Sequence, residues 1–299
     1  MSYDDIIGMF MAPPAEPIVM PTLPQTPARR LRDAVEPIAT QGWWSRSAAE
    51  HVAALGLGFF DGYVWGRAAS LGTPAASVVV ATFGVFDPAL LGAVYQHGVS
   101  IAARDDVLAA REAGATDSLA GVVTEPEADA IATPLLAALA QVDAMGRPLF
   151  NALRALPVPR TAAGRLWRAA ELVREHRGDG HLAACVAAGL DAVTMNVLTE
   201  LWLGYTVGEY SGTRGCGPDR LAEAVAGLEQ RGWVVDGALT AAGLAARLDV
   251  ESATDASQQQ LVDLLGDGID ELIEHAADVS HRIEAVPAFP SDPRKRAAG

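Results

Sequence analysis

The sequence predicts an all-α protein, and three observations favour this fold class. Half of the 299 residues are hydrophobic while only 6% are aromatic, and alanine, the best helix former, is the commonest apolar residue. Apolar residues recur at helical spacing, as at Leu166, Ala169 and Val173. One stretch, residues 233–239, has instead the pattern of a β-hairpin. The length allows two domains of ordinary size.

Composition and charge limit the classes of function. The formal net charge of −15 opposes non-specific DNA binding, so a DNA-binding interpretation requires a local basic face. Cys185 and Cys216 are too few for a disulfide framework or a structural zinc site. The chain begins with an acidic segment containing Asp4 and Asp5, and no apolar run reaches the roughly 18 residues of a membrane span. We therefore expect a soluble, cytoplasmic protein that does not enter a membrane.

Both ends of the chain are predicted to lie outside the helical units. Residues 12–27 contain six prolines, a density that is incompatible with a helix. Residues 1–27 are therefore predicted to form an extended arm, which is either without fixed structure or packed on a second subunit in a homodimer. Residues 286–299 are predicted to be a flexible tail.

The chain between these ends contains an internal repeat. Short matches recur in the same order, with an offset between 131 and 138 residues. The matches are Arg30-Leu31 with Arg165-Leu166, Glu36 with Glu171, Gly56-Leu57 with Gly189-Leu190, Gly72 with Gly204, Thr82-Phe83-Gly84 with Thr213-Arg214-Gly215, Gly98 with Gly232, and Ala115-Thr116-Asp117 with Ala253-Thr254-Asp255. Residues 28–150 and 162–285 are therefore predicted to be diverged copies of one unit, joined near residues 157–159.

The first helices of the second unit are read from their apolar spacing and from glycine. A helix over residues 165–177 is predicted to end at the Gly178-Asp179-Gly180 sequence. A long apolar helix is then predicted from about His181 to Leu203.

The remaining elements of this unit are predicted from turn and cap signals. Pro218 is placed at the start of a helix that continues to Gly232. Asp236-Gly237 suits the positive φ angles of a two-residue hairpin turn, and Thr240 is placed as the N-cap of the next helix.

This arrangement resembles the winged-helix regulators of the MarR type over about residues 213–265. The resemblance rests on the helix before Gly232, the hairpin, and the Leu239-Thr240-Ala241-Ala242-Gly243 sequence that follows it. Over a greater length, through residues 174–181 and 213–215, the chain looks like a little-characterised actinobacterial family labelled helix-turn-helix. Regulators of the MarR type are twofold dimers that bind ligands near the dimer interface. The resemblance therefore implies an intrachain pseudo-dimer of two winged-helix-like units with a ligand cavity between them.

The sequence departs from these regulators where they contact DNA. The predicted wing tip around Asp236 carries no cation, and residues 213–255 contain four arginines against seven acidic residues. In the first unit the segment from Gly98 to Asp117 is too short for a hairpin, so this unit is predicted to be degenerate, with its wing lost. Its recognition-helix equivalent, residues 88–97, has no Arg or Lys.

We therefore expect a small-molecule-binding protein on a winged-helix scaffold that has lost its DNA-binding charge. An enzyme of secondary metabolism is a version of this hypothesis that comes from the family resemblance. The alternative is a ligand-responsive transcription regulator, in which Arg214, Arg220 and Arg231 would contact DNA phosphates.

The densest polar cluster, residues 175–181, is the candidate for chemistry. The candidate catalytic residues are Glu175, His176, Asp179 and His181. One histidine would be a general base oriented by a carboxylate, and Arg177 would hold an anionic group. Metal ligation by the histidines stays open. The alternative is structural, with His176 and Arg177 at the end of one helix and Asp179 capping the next.

A second group of candidates would line a ligand pocket. These residues are Asp61, Tyr63, Arg67, Glu200 and Tyr205, which lie among aromatic side chains. Aromatic groups at such spacing are more often part of a core. The sequence contains no Gly-rich phosphate loop and no dinucleotide-binding fingerprint, so it identifies no cofactor.

Overall fold

The computed structural model describes residues 18–285 together with Asp292 and Arg294, and it is mostly helical, as predicted. The helices of the first half are α1 (Pro27–Ala39), α2 (Gln41–Trp44), α3 (Arg46–Ala53), α4 (Phe59–Ala68), α5 (Ala76–Phe83), α6 (Pro88–Ile101), α7 (Arg104–Ala120), α8 (Glu125–Leu139) and α9 (Pro148–Arg154). Those of the second half are α10 (Ala162–Ala187), α11 (Ala192–Leu203), α12 (Pro218–Gln230), α13 (Ala241–Ala256), α14 (Gln259–Leu265) and α15 (Ile269–Glu284).

The predicted hairpin lies between α12 and α13 and is confirmed. Its antiparallel strands β1 (Val234–Val235) and β2 (Ala238–Leu239) pair Val234 with Leu239 and Val235 with Ala238. Asp236 and Gly237 between them have φ angles of 51° and 75°, the backbone that this short turn requires. In the first half only residues 102 and 103 separate α6 from α7, and no strand lies there.

The predicted helix end at residues 178–180 is wrong, because α10 continues through it to Ala187. Gly180 serves close packing: a Cβ atom there would lie 2.3 Å from the Oγ atom of Ser257 at the end of α13. The chain turns instead at Gly189, which has a φ of 67°, and Asp191 then caps α11 by accepting a hydrogen bond from the Thr194 N–H.

Helices from both halves share the largest core. Helix α1 packs against α10, while α10 also packs against α8 and α1 against α15. Apolar side chains from these four helices, including Ile38, Leu135, Leu166 and Ile273, are almost fully buried in a single cluster. The two halves therefore meet through a continuous hydrophobic interior.

The described part of the arm packs on the second half of the same chain, where Met20 and Leu23 lie against Trp202 and Tyr205. Residues 1–17 of the predicted arm lie outside the described residues, as does the predicted tail except Asp292 and Arg294. Within the part of the chain that the structure describes, no single helix is long and apolar enough to cross a membrane; α10 and α11 pass this test only as a pair, bent by 101°.

Candidate functional site

A cavity of about 140 Å³, lined by charged and apolar side chains, lies between the two halves. Its wall comes from α1, α4, α5, α9, α10, α11 and α13, and from the segments that carry Val85, Tyr210 and Arg214. Seven arginines line it: Arg29, Arg32, Arg67, Arg174, Arg177, Arg214 and Arg247. They face four carboxyl groups, those of Glu36, Glu175, Asp179 and Glu251. In a chain of net charge −15, this interior concentration of cations is a departure from the rest of the molecule.

The α4 side of the cavity holds a paired network. The Arg67 guanidinium donates to both carboxylate oxygens of Glu175, at 2.9 and 3.0 Å, and to the Tyr63 hydroxyl at 2.9 Å. Arg174 donates to Glu36 and Glu175, each at 3.1 Å. Burial alone would raise the pKa of Glu175, but Arg67 and Arg174 outweigh it, so the pKa is lowered. Glu175 is therefore an ionised anchor for two arginines.

The α13 side of the cavity holds more guanidinium groups than carboxylates. Arg177 donates to Asp255 at 2.8 Å and Arg247 donates to Glu251 at 2.7 Å. Arg29 also donates to Glu251. Three buried arginines thus share two carboxylates, and the Nε atom of each arginine has no hydrogen-bond partner in the described structure. We call Arg29, Arg177 and Arg247 the arginine triad.

The pKa values of the arginine triad follow from this arrangement. Burial, reinforced by the charges of Arg29 and Arg32, lowers the pKa of Arg177 to about 10. Burial and the charges of Arg29 and Arg177 lower the pKa of Arg247 to about 9. The positive charge at this end of the cavity is therefore incompletely neutralised by protein groups.

Arg214 lies in the cavity wall and does not project from the surface as a DNA phosphate contact would. Its guanidinium donates to the Tyr210 hydroxyl at 2.6 Å and lies 4.8 Å from the centre of the Phe86 ring. Its Nε atom also lacks a hydrogen-bond partner in the described structure. This inward placement corrects the sequence-based assignment of Arg214 to DNA.

The two candidate histidines lie on one continuous helix and point to different partners. His181 lines the cavity. The Thr254 hydroxyl donates its proton to the Val250 carbonyl, so it can only accept from His181. The Nδ1 atom of His181 therefore donates to this hydroxyl, at 3.0 Å. Its Nε2 then faces the Cys185 thiol at 3.6 Å. Burial and nearby arginines lower the pKa of His181 to about 3, so its imidazole is neutral at physiological pH.

His176 lies away from the cavity wall. It is bound to the Gln258 side chain at 2.6 Å and packs edge-on against the Phe150 ring, and burial lowers its pKa to about 4. The predicted pairing of a histidine with Glu175 or Asp179 is not found, because those carboxylates bind other groups. No group of potential metal ligands occurs among the described residues.

Asp179 lines the cavity, but it does not cap a helix after residue 180 as the structural alternative supposed, because α10 is continuous there. Its carboxylate instead accepts a hydrogen bond at 2.9 Å from the backbone N–H of Phe150, in the first turn of α9. Burial, with a contribution from Glu175, raises its pKa to about 7 against the opposing effects of that hydrogen bond and of Arg147. The protonation of Asp179 therefore changes near neutral pH.

Three predicted pocket residues lie elsewhere. Asp61 pairs with His97 at 3.0 Å outside the cavity. Glu200 is fully buried, where it accepts hydrogen bonds from the backbone N–H groups of residues 208, 210 and 211 and so fixes the loop after α11. Tyr205 stacks on Tyr210 beneath the Arg294 guanidinium. These side chains are structural, because their polar groups are occupied within the protein.

The surface that would face DNA is acidic. Arg220 is exposed and lies 3.3 Å from Asp87, and Arg231 donates to the Gly189 carbonyl at 2.7 Å. The exposed acids on α12 and the wing are Asp219, Glu223, Glu229 and Asp236. The two arginines are therefore outnumbered on the face that a winged helix presents to DNA.

Sequence reasoning missed several cavity residues, chiefly Arg29, Arg32, Arg174, Arg247 and Glu251. The signal available was the i, i+3, i+7 spacing of Arg29, Arg32 and Glu36, which places three charges on one side of α1. That pattern is also typical of a solvated helix face.

The comparisons with known proteins give one match. A family model described as a helix-turn-helix family matches residues 28–290, which include both halves. No curated protein and no solved structure matched the chain.

Proposed function

This chain belongs to the helix-turn-helix family, and on that scaffold we propose that it is a small-molecule-binding protein that encloses its ligand in the central cavity. The observation that carries the proposal is the wall of the cavity itself, in which seven arginines face four carboxyl groups. A ligand that carries hydrogen-bond acceptors would be held there by charge-assisted hydrogen bonds from guanidinium groups.

The size of the cavity supports a ligand about as large as one ring. A cavity of roughly 150 Å³ in another protein holds a benzene molecule, and the cavity here measures about 140 Å³. The residues that enclose it belong to both halves, so a ligand would contact both.

The proposal includes the descent of the two halves from one unit, related by an internal pseudo-dyad. Glycines at matched positions adopt positive φ angles in both halves: Gly56 and Gly189, Gly72 and Gly204, and Gly84 and Gly215. Pro88 and Pro218 each stand at the start of the following helix. In addition, α1 packs on α15 as α10 packs on α8. On this proposal the cavity occupies the position of the ligand sites at the dimer interface of MarR-type regulators.

A ligand-responsive DNA-binding regulator is the second candidate. The family match and the order α12, hairpin, α13 favour it. The acidic α12 face and the inward position of Arg214 disfavour it. A gel-shift experiment at low salt, with DNA from its own promoter region, separates the candidates, since a regulator retards that DNA and the proposed protein does not.

A catalytic version of the proposal would use Asp179, because it is a cavity group that can exchange a proton near pH 7. The cytoplasmic location and the homodimer stay predictions.

Ligand binding is tested with four single-ring probes, benzoate, phenyl phosphate, benzamide and benzamidinium, by saturation-transfer NMR. Gly178 lines the cavity, and a Cβ atom there would meet only the Glu175 side chain, at 3.7 Å. Gly178→Leu therefore fills the cavity without removing a charge. Gly227→Leu, on α12 where a Cβ atom has free space, is the matched control.

We expect at least one probe to bind the unmodified protein and the Gly227→Leu variant with similar affinity. Its affinity for the Gly178→Leu variant should be at least tenfold lower. Absence of binding by all four probes, or equal binding to both variants, would overturn the proposed function.

A further inference from the structure

We infer that the ligand of the cavity is an organic anion, a single-ring carboxylate or phosphate, whose acidic group binds the arginine triad. This inference rests on the proposed function and specifies the chemical class of the ligand and the end of the cavity that holds its charge.

The α13 end of the cavity has more positive than negative charge. Arg29, Arg177 and Arg247 are each at least nine-tenths buried, and the carboxylates that contact them are those of Glu251 and Asp255. One positive charge of the triad is thus unmatched. A buried unmatched charge is strongly unfavourable, so a ligand of negative charge is favoured over a neutral one.

One Nη atom of each arginine in the triad already binds the carboxylates of Glu251 and Asp255. The other Nη atom of each makes no hydrogen bond within the described residues and, unlike the enclosed Nε atom, is accessible to a water-sized molecule. Carboxylate and phosphate oxygens are the acceptors that guanidinium groups bind best, because each can take two or more charged hydrogen bonds. One acidic group could therefore satisfy donors that the protein leaves unpaired.

The arginine triad also affects the other side chains of the cavity. His181 lies in the same wall, and after burial the causes of its low pKa are the charges of Arg247, Arg177, Arg29 and Arg32. A neutral imidazole presents no charge of its own to an incoming anion. By contrast, the carboxylates at the α4 side, Glu36 and Glu175, are held by Arg174 and Arg67. The triad end is therefore the more favourable place for an anion.

The apolar part of the cavity wall would contact the ring of the ligand. Phe83, Val85, Leu182 and Met195 line the same cavity. Leu182 is close to the backbone beside Val85, since a Cβ atom at Gly84 would lie 2.7 Å from it. A ring with an acidic substituent matches a wall that combines these side chains with the triad.

The test is a charge series on the unmodified protein. Benzoate, benzamide and benzamidinium have nearly the same shape but carry negative, zero and positive charge, and phenyl phosphate distinguishes phosphate from carboxylate. Titration calorimetry should give benzoate or phenyl phosphate at least tenfold tighter binding than benzamide, and no heat with benzamidinium. Added inorganic phosphate should compete if phenyl phosphate is the tighter ligand.

Variants then locate the charge. Arg247→Met and Arg29→Met should each lower the affinity for the preferred anion at least tenfold and leave the affinity for benzamide unchanged. Arg220→Met, on the outer surface, should change neither affinity. If either variant fails to fold, the charge series alone decides. Binding of benzamide or benzamidinium as tight as that of the anions, abolished by Gly178→Leu, would refute the anion inference and leave the proposed function standing. Failure of every probe would refute both.

Discussion

Asp179 makes the stability of the protein depend on pH in a direction that can be calculated. Its pKa is raised from 3.8 to about 7 in the folded chain. A carboxyl group with a raised pKa binds more protons in the folded state, so its destabilising effect is absent below about pH 4, grows between pH 4 and pH 7, and is complete above pH 7. A difference of about three pKa units corresponds to a cost of at most about 4 kcal/mol above pH 7.

The substitution Asp179→Asn removes this titration while keeping a carbonyl oxygen for the Phe150 N–H group. The charged groups around the site are Arg147, Glu175 and Arg67, and all of them stay in the variant. The free energy of unfolding of the variant, relative to the unmodified protein, should therefore rise between pH 4 and pH 7 by roughly 1 kcal/mol per pH unit.

Urea unfolding at pH 4.5, 6 and 7.5 measures this difference. Asp267→Asn, at an exposed aspartate before α15, changes the net charge equally and serves as the control. A difference between Asp179→Asn and the unmodified protein that is constant with pH, or that falls as pH rises, would show that burial does not raise the pKa of this carboxyl group.

Two further predictions concern packing and loop anchoring. Gly180→Ala should lower the free energy of unfolding by about 1–3 kcal/mol, because its Cβ atom would overlap Ser257. Gly178→Ala, two residues away with free space, should raise it by about 0.5–1 kcal/mol, and equal effects in thermal unfolding would contradict the close approach at Gly180. Glu200→Gln should cost about 1–3 kcal/mol, since it weakens the bonds to three backbone N–H groups. The exposed Glu229→Gln should cost little, and a similar loss for both would remove the anchoring role of Glu200.

Features that depend on local chemistry were predictable from the sequence. The turn at Asp236-Gly237, the Thr240 cap and the helix start at Pro218 each follow from the conformational preference of one or two residues. Helical spacing likewise predicted the all-α fold class, since it needs no knowledge of distant partners.

Features that depend on contacts between distant segments were not predictable. Arg29 binds Glu251, which is 222 residues away in the sequence, and the spacing of residues within α1 does not identify that partner. Gly178 and Gly180 have the composition of a helix end, yet α10 continues because packing against α13 outweighs their low helix propensity. Glu200 was expected in a pocket, but the loop that it anchors becomes visible only in three dimensions.

The crossed packing of α1 on α15 and of α10 on α8 leaves neither half with a complete interior. Expressed alone, each would expose to water the apolar side chains that its counterpart now covers. A protease that cuts the connecting segment near residue 158 should therefore yield two fragments that stay bound to each other. Melting should be a single cooperative event, and a molecule held at the centre would stabilise the whole chain against it.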